Sequence, residues 1–361
     1  MIKNIFRISL MSCLAAAAGT SGAQTPSVRL PVLSFVVDDA HRLRPVIGIA
    51  GSASIGAPLN LGSDVVSAEA PATNDYVLVR TSGSGWPVVV QIRGSVVTVQ
   101  ATDSLVNPQQ SRTSACNQPD AVSFQRNART PECLPDSAAI DPGITIDRIA
   151  LSPSGSAAAL FSASERRIYA FTNLSQSPVF AGQFEVGNAG KVSAFALSDD
   201  GRTVAAGVSD GDQGSVFLIK LNQPAQLIAS MPHPAVIQFL HGSNDAIIAD
   251  DVQNKVYALS NGQVFTLASA EDGIAGPVGI AVSNDNQRIF VGNSKSGSVS
   301  TIGTQGTVAE PMQCHCTLTG LRPTSADSVF RLTDFTGGPV VLFDGNAATP
   351  RLVFVPKSSQ F

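Results

Sequence analysis

The sequence predicts an all-β fold, a β-propeller of seven four-stranded antiparallel blades, and three observations carry that prediction. One pattern recurs: Leu151-Ser152-Pro153-Ser154-Gly155 before an apolar run at 157–161, and Leu197-Ser198-Asp199-Asp200-Gly201 before another at 203–208. Each copy reads as a strand, a tight turn ending in Gly and a second strand, and an echo at fixed period marks a repeat architecture. The residues just before successive turns, Leu151, Leu197, Leu240, Val282 and Leu321, are 46, 43, 42 and 39 residues apart, the length of four antiparallel strands with their turns. Composition agrees: 14% of residues are charged, against about 25% in ordinary domains. The 31 Gly and 22 Pro suit short strands joined by tight turns.

Blade 1 is expected to hold strands at 34–37 and 44–50, and blade 2 at 65–67, 76–81, 87–93 and 95–100, with Ser82-Gly83-Ser84-Gly85 as a turn. In blades 3 to 7 the post-turn strands fall at 157–161, 203–208, 246–249, 288–292 and 328–332. Third strands follow at 167–172, 215–221, 255–259, 298–302 and 340–343, and a fourth closes most units, as at 179–186 and 225–230. The intervening turns are built from Pro, Ser, Gly, Asn and Asp, which tolerate turn dihedrals or bond their own backbone. Blade 1 has no clear fourth strand, so six or eight blades also fit. Segments 351–355 and 28–32 are the candidates to complete it by strand exchange, which would remove an open sheet edge. Residues 104–143 break the period with five prolines and two cysteines, and read as a functional insertion between blades 2 and 3.

Residues 1–23 have the layout of a secretory signal: Lys3 and Arg7, an apolar core at 8–18, and Ser21-Gly22-Ala23 before Gln24. That core is shorter than the roughly 20 residues of a membrane span. Leu10-Met11-Ser12-Cys13 resembles a lipoprotein cleavage box, but cleavage there leaves too short a core after Arg7. The mature chain, 24–361, is expected to be one exported propeller domain, periplasmic or extracellular, with no transmembrane segment. Without Lys3 and Arg7 it carries 21 basic against 27 acidic residues, a net charge of −6. That balance, with no basic cluster, excludes a nucleic-acid or anionic-membrane partner.

Successive connections in a four-stranded meander (strands A to D, A innermost) alternate between the two faces of the ring. The B–C loops therefore share a face with the D-to-A connections, including 104–143 and 312–320. Those B–C loops carry Glu165, Asp210, Asp212, Asp250, Asp251 and Asp334. This insertion-bearing acidic face is the expected ligand-binding surface, since variable loops on a rigid scaffold carry function; the same acidic loops would also serve solubility.

Cys116, Cys133, Cys314 and Cys316 remain after signal cleavage, and an even count in an exported chain points to disulfides. Local pairing, Cys116 with Cys133 and Cys314 with Cys316, is the simplest; pairing between the insertion and the Cys314-His315-Cys316 turn is the alternative, free thiols or metal the remainder. His41, His233 and His241 are scattered and read as surface or packed residues. Asp210-Gly211-Asp212-Gln213-Gly214 resembles the start of a calcium loop but lacks its distal acidic ligands, and reads as a plain turn. No nucleophile elbow, zinc helix, phosphate loop or dinucleotide fingerprint is present. No cofactor and no metal site is expected.

The turns at 151–155 and 197–202, with Val282-Ser283-Asn284-Asp285-Asn286, resemble those of YVTN and NHL-like bacterial propellers over residues 144–305; the segments 328–333 and 351–356 resemble secreted bacterial propellers. The resemblance implies fold and no site residue, because its motifs are structural. The chain is therefore expected to be an exported non-catalytic propeller that binds a protein or small ligand on its acidic face. Some YVTN-like relatives hydrolyse lactones, so the alternative is a lactonase-like hydrolase with a loop-built site near the channel mouth, using carboxylates and a divalent cation. A structural part in an envelope complex is a third expectation.

Overall fold

Strands that are apolar up to their last residue, such as Ala157–Ser162 and Ala246–Asp250, are buried along their whole length. A strand needs that composition when other sheets cover both of its faces. The computed structural model describes residues 31–93, 96–102, 144–187, 190–335, 338–346 and 349–356. The expected signal, the insertion at 104–143, and Cys116 and Cys133 lie outside them.

Seven antiparallel sheets follow one another along the chain, each paired in sequence order. Blade 1 consists of Val32–Val37, Leu43–Ile49 and Ser52–Ile55; blade 2 of Val65–Glu69, Tyr76–Thr81, Val88–Arg93 and Val96–Ala101; blade 3 of Arg148–Leu151, Ala157–Ser162, Arg167–Thr172 and Val179–Glu185. Blade 4 holds Lys191–Leu197, Thr203–Asp210, Gln213–Lys220 and Gln226–Ser230, and blade 5 Pro234–Phe239, Ala246–Asp250, Lys255–Ser260 and Gln263–Ala268. Blade 6 holds Pro277–Val282, Arg288–Asn293, Ser298–Gly303 and Met312–Gln313, and blade 7 Arg322–Pro323, Val329–Arg331, Val340–Asp344 and Arg351–Val355. Among the described residues the one helical element is a 3₁₀ turn, Ala270–Asp272, and no helix is long and apolar enough to cross a membrane.

The core is divided into seven clusters, each packed between two consecutive blades. The last closes the ring: Leu33, Val36, Val46 and Ile55 of blade 1 meet Phe335, Val340, Leu342 and Val355 from the blade 7 segment. Closure is thus by side-chain packing. Arg351–Val355 does not complete blade 1; it pairs with Val340–Asp344 of its own blade through five residues, pinned by Arg351 to Asp344 at 3.0 Å. A hairpin partner a few residues away closes a shorter loop than a partner at the other terminus. Val32, from the other candidate segment, opens the first strand of blade 1, and among the described residues blade 1 keeps three strands. The third of these, Ser52–Ile55, follows a two-residue turn at Ala50-Gly51, with Gly51 at φ +95°.

In four blades the pairing of strand A with strand B shifts register near the start of strand A, as between Val192 and Ala194 or Pro234 and Val236, and the first two strands of blade 1 do the same. Such bulges sharpen strand twist, and Pro234 and Pro277 sit at that opening position, where a missing N–H is tolerated. Register also moves two of the expected pre-turn residues: Phe239 and Pro323, not Leu240 and Leu321, stand level with Leu151.

Candidate functional site

The A–B turns of blades 2 to 7 are tied blade to blade at one face, and Leu33, at the start of blade 1's first strand, completes the circle. Asn74 Nδ2 donates to Leu33 O at 2.9 Å, and Tyr76 Oη to Gly155 O at 2.7 Å. Asp199 Oδ1 accepts from Ser154 N and Oγ at 2.8 and 2.6 Å, while its Oδ2 accepts from Gly242 N at 2.8 Å. Asn286 exchanges two 2.9 Å bonds with the His241 backbone, Asp327 accepts from Asn284 N at 3.2 Å, and Ser325 N closes the circle on Leu33 O at 2.8 Å. Asn74 and Asn286 do this from left-handed turn positions, φ +51° and +58°, equivalent to Gly155 and Gly201 at +72° and +71°. Asn is among the side chains that tolerate that conformation. Burial alone would raise the Asp199 carboxyl, but the bonds from Ser154 and Gly242 outweigh it and hold the group below its ordinary value of 3.8.

The opposite face carries the six carboxylates expected to bind, and they do not converge. Asp250 ends strand Ala246–Asp250 instead of lying in a loop, and it is fully buried. Its carboxylate accepts the backbone N–H groups of His233, Val252 and Gln253 at 2.7–3.0 Å. Asp251 pairs with His233 Nδ1 at 2.7 Å, and Asp334 with Arg331 at 2.7 Å. Glu165 is exposed, 4.0 Å from Arg167. Asp210 and Asp212 project from a two-residue hairpin closed by the Asp210–Gln213 pair and have no partner among the described residues. There, no three His, Cys, Asp or Glu side chains gather as a metal would need. Cys314 and Cys316 form a disulfide across His315, with Cα atoms 5.2 Å apart, within the ordinary span.

Between the faces runs a channel of about 360 Å³ lined by blades 2 to 7. Blade 1 contributes no lining residue; instead the blades flanking it are joined directly by Arg322 Nη1 donating to Glu69 Oε1. Arg322 also stands opposite Arg331 in the blade 7 ladder, a like-charge juxtaposition that is unfavourable alone. Glu69 neutralises one guanidinium and Asp334 the other, and Glu69 raises the Arg322 pKa above its ordinary value. Burial would raise the Asp334 carboxyl, but Arg331 and Arg322 keep it low. Burial lowers Arg331. Asp334 thus acts as a counter-ion within blade 7.

On the other wall lies Arg148, which no sequence pattern singled out. It opens strand A of blade 3, donates Nη1 to Val192 O at 3.1 Å and rests its guanidinium on the Phe195 ring, 5.2 Å from the centroid. No carboxylate partners it among the described residues, and burial lowers its pKa. His241 and Asp327 line the turn-face end of the channel through the turns already described.

No family model and no curated protein matches the chain. Solved structures match by fold. A functionally unknown protein from Desulfotomaculum acetoxidans DSM 771 is 13% identical, with TM-score 0.54 over 91% of this chain and all of its own. Selenomethionine-substituted virginiamycin B lyase from Staphylococcus aureus is 11% identical, with TM-score 0.52 over 81% of this chain and 84% of its own. A catalytically inactive variant of that lyase, solved with quinupristin, gives 0.51 at 11% identity over 81% and 84% of the two chains. At such identities the likeness is one of fold, and the chain is a seven-bladed β-propeller with four-stranded antiparallel blades apart from the three-stranded first.

Proposed function

We propose that this chain is an exported, non-catalytic binding propeller, akin to the YVTN and NHL-like group, that takes a protein or small ligand on its B–C loop face. What supports this is the contrast between the faces. The A–B turns of blades 2 to 7 spend polar groups on one another, whereas among the described residues the opposite face leaves Asp210 and Asp212 without partners and Glu165 exposed. Val96–Ala101 ends and Arg148–Leu151 begins at that same face, and residues 104–143 lie between them in the sequence. Partner capture from the native envelope by the full-length protein, with a 104–143 deletion and an Asp210→Asn/Asp212→Asn variant alongside, tests it. Loss of the captured species in both variants is expected; retention in both would refute the assignment. A lactonase-like hydrolase is the alternative, favoured by the channel with Glu69 and His241 in its lining. Turnover across a lactone and ester panel that Glu69→Gln abolishes would establish it.

A further inference from the structure

We infer that the central channel is itself a binding site, for a small monocarboxylate with an apolar body, and that Arg148 holds the carboxylate. The site is separate from the loop carboxylates proposed above, so each can fail without the other. Three features of the wall carry the assignment. Arg148 opens onto the channel and has no carboxylate partner among the described residues, whereas the other channel guanidinium, Arg322, is neutralised by Glu69. Second, Arg148 is already positioned: one amino group is fixed on Val192 O and the guanidinium carbon lies over the Phe195 ring. A stacked, anchored fork loses little freedom when a carboxylate docks on its remaining donors. Third, Ile149, Val236 and Val278 line the channel with half-buried side chains, so the guanidinium stands beside apolar surface in a wall that is about as polar as it is apolar. Pockets of roughly 300–1,000 Å³ lined by apolar groups with a few fixed polar ones are the usual form of small-molecule sites, and this one measures about 360 Å³.

Arg148 is the one lining guanidinium with no carboxylate on it among the described residues, Asp327 standing at the turn-face end of the channel, and a single fork matches a monoanion. Phosphate would bring more negative charge than Arg148 alone can match, and would leave the apolar wall uncovered. The ligand class is therefore an amphiphilic monocarboxylate.

Calorimetric titration of the full chain with octanoate, with its neutral isostere octanamide and with inorganic phosphate tests this. Octanoate is expected to bind one site per chain at least about tenfold more tightly than octanamide, the factor one charge-assisted contact supplies. In Arg148→Gln the preference should vanish, and Arg148→Lys, which keeps the charge but not the fork, should fall between. No saturable octanoate binding, equal affinity for octanoate and octanamide, or phosphate binding tighter than octanoate would each overturn the proposal. These comparisons use the unaltered protein and hold whether or not a variant folds. A folded Arg148→Gln, checked by its melting curve, that still prefers octanoate would overturn it as well.

Discussion

Replacing Asp199 with Ala should loosen three blades at once, because one carboxylate accepts two bonds from Ser154 of blade 3 and one from Gly242 of blade 5. A hydrogen bond to a buried charged group is worth about 1.5–3 kcal/mol. Asp199 is only half-buried and water competes for these bonds, so about 0.7 kcal/mol each, or about 2 kcal/mol in all, is the appropriate scale. At about 2.1 cal/mol/K of unfolding entropy per residue over about 330 residues, that loss lowers Tm by about 3 °C. Asp199→Asn keeps an acceptor for Ser154 but turns an amide donor toward the Gly242 N–H, and should lose about half as much. The pH dependence has a definite sign. The folded carboxyl lies below its ordinary value of 3.8, so its contribution is complete above that value and fades as pH falls through the lower folded value. The assay is calorimetric melting and urea unfolding at pH 7, 5 and 3. An Asp199→Ala protein that melts within about 1 °C of wild type at pH 7, or whose deficit is unchanged at pH 3, would refute the view that this carboxylate ties the turns together.

Asp250→Ala should cost about 3 kcal/mol in urea unfolding, since three backbone N–H groups lose a buried acceptor; a variant as stable as wild type would free Asp250 for a ligand role. Phe290→Ala should cost about 3–5 kcal/mol, because its fully buried ring packs on Phe330 and Phe343 at 5.0 and 5.7 Å between centroids. Reducing the Cys314–Cys316 disulfide opens a ring of only three residues and should lower stability by about 1.6 kcal/mol in the chain-entropy view, read from unfolding with and without reductant. Asp38, where burial is outweighed by Arg44 and Arg42 and the pKa falls to about 2, predicts a separate loss of stability as pH drops from 4 toward 2, absent in Asp38→Asn.

The fold was legible because its signals are local. Turn residues that accept unusual dihedrals, apolar strands of four to eight residues and a near-constant period all appear in single stretches, and blades 3 to 6 follow them almost residue for residue. Blade 7 was harder, since Pro323 and Thr324 stand where blades 3, 4 and 6 place an apolar residue and a Ser, which displaced the expected pre-turn residue to Leu321. Ring closure was misjudged for a different reason: Arg351–Val355 is apolar enough for either end of the ring, and only the pairing with Val340–Asp344 decides between them. The carboxylates show the limit most clearly. Asp250 and Asp210 have the same residue type at the end of strand B in consecutive blades, yet one is enclosed by three backbone donors and the other is exposed. Sequence distinguishes neither, because the donors around Asp250 come partly from His233, in the connection between blades 4 and 5.

Arg148 was invisible for a related reason, and its setting shows how the fold makes a site. An arginine that opens a short strand reads as an ordinary strand-edge charge. It becomes a channel residue only because strand A is innermost, and an anchored one only because the next blade supplies both Val192 O and the Phe195 ring. Sequence repeats conserve the blade but not what a blade presents to its neighbour. At the level of Ala150 the inner strands carry Glu69, Ala150, Ala196, Gln238, Ala281 and Arg322. The backbone there is common to these blades, and three alanines share the level with three long polar side chains, of which Glu69 and Arg322 meet beside blade 1. In Glu69→Ala the Arg322 guanidinium would lose its counter-ion, leaving two uncompensated cations in the channel instead of one. If charge balance sets the selectivity of this channel, that substitution should strengthen phosphate binding relative to octanoate, measured by the same titration. An unchanged ratio would mean that shape, not charge, governs what enters.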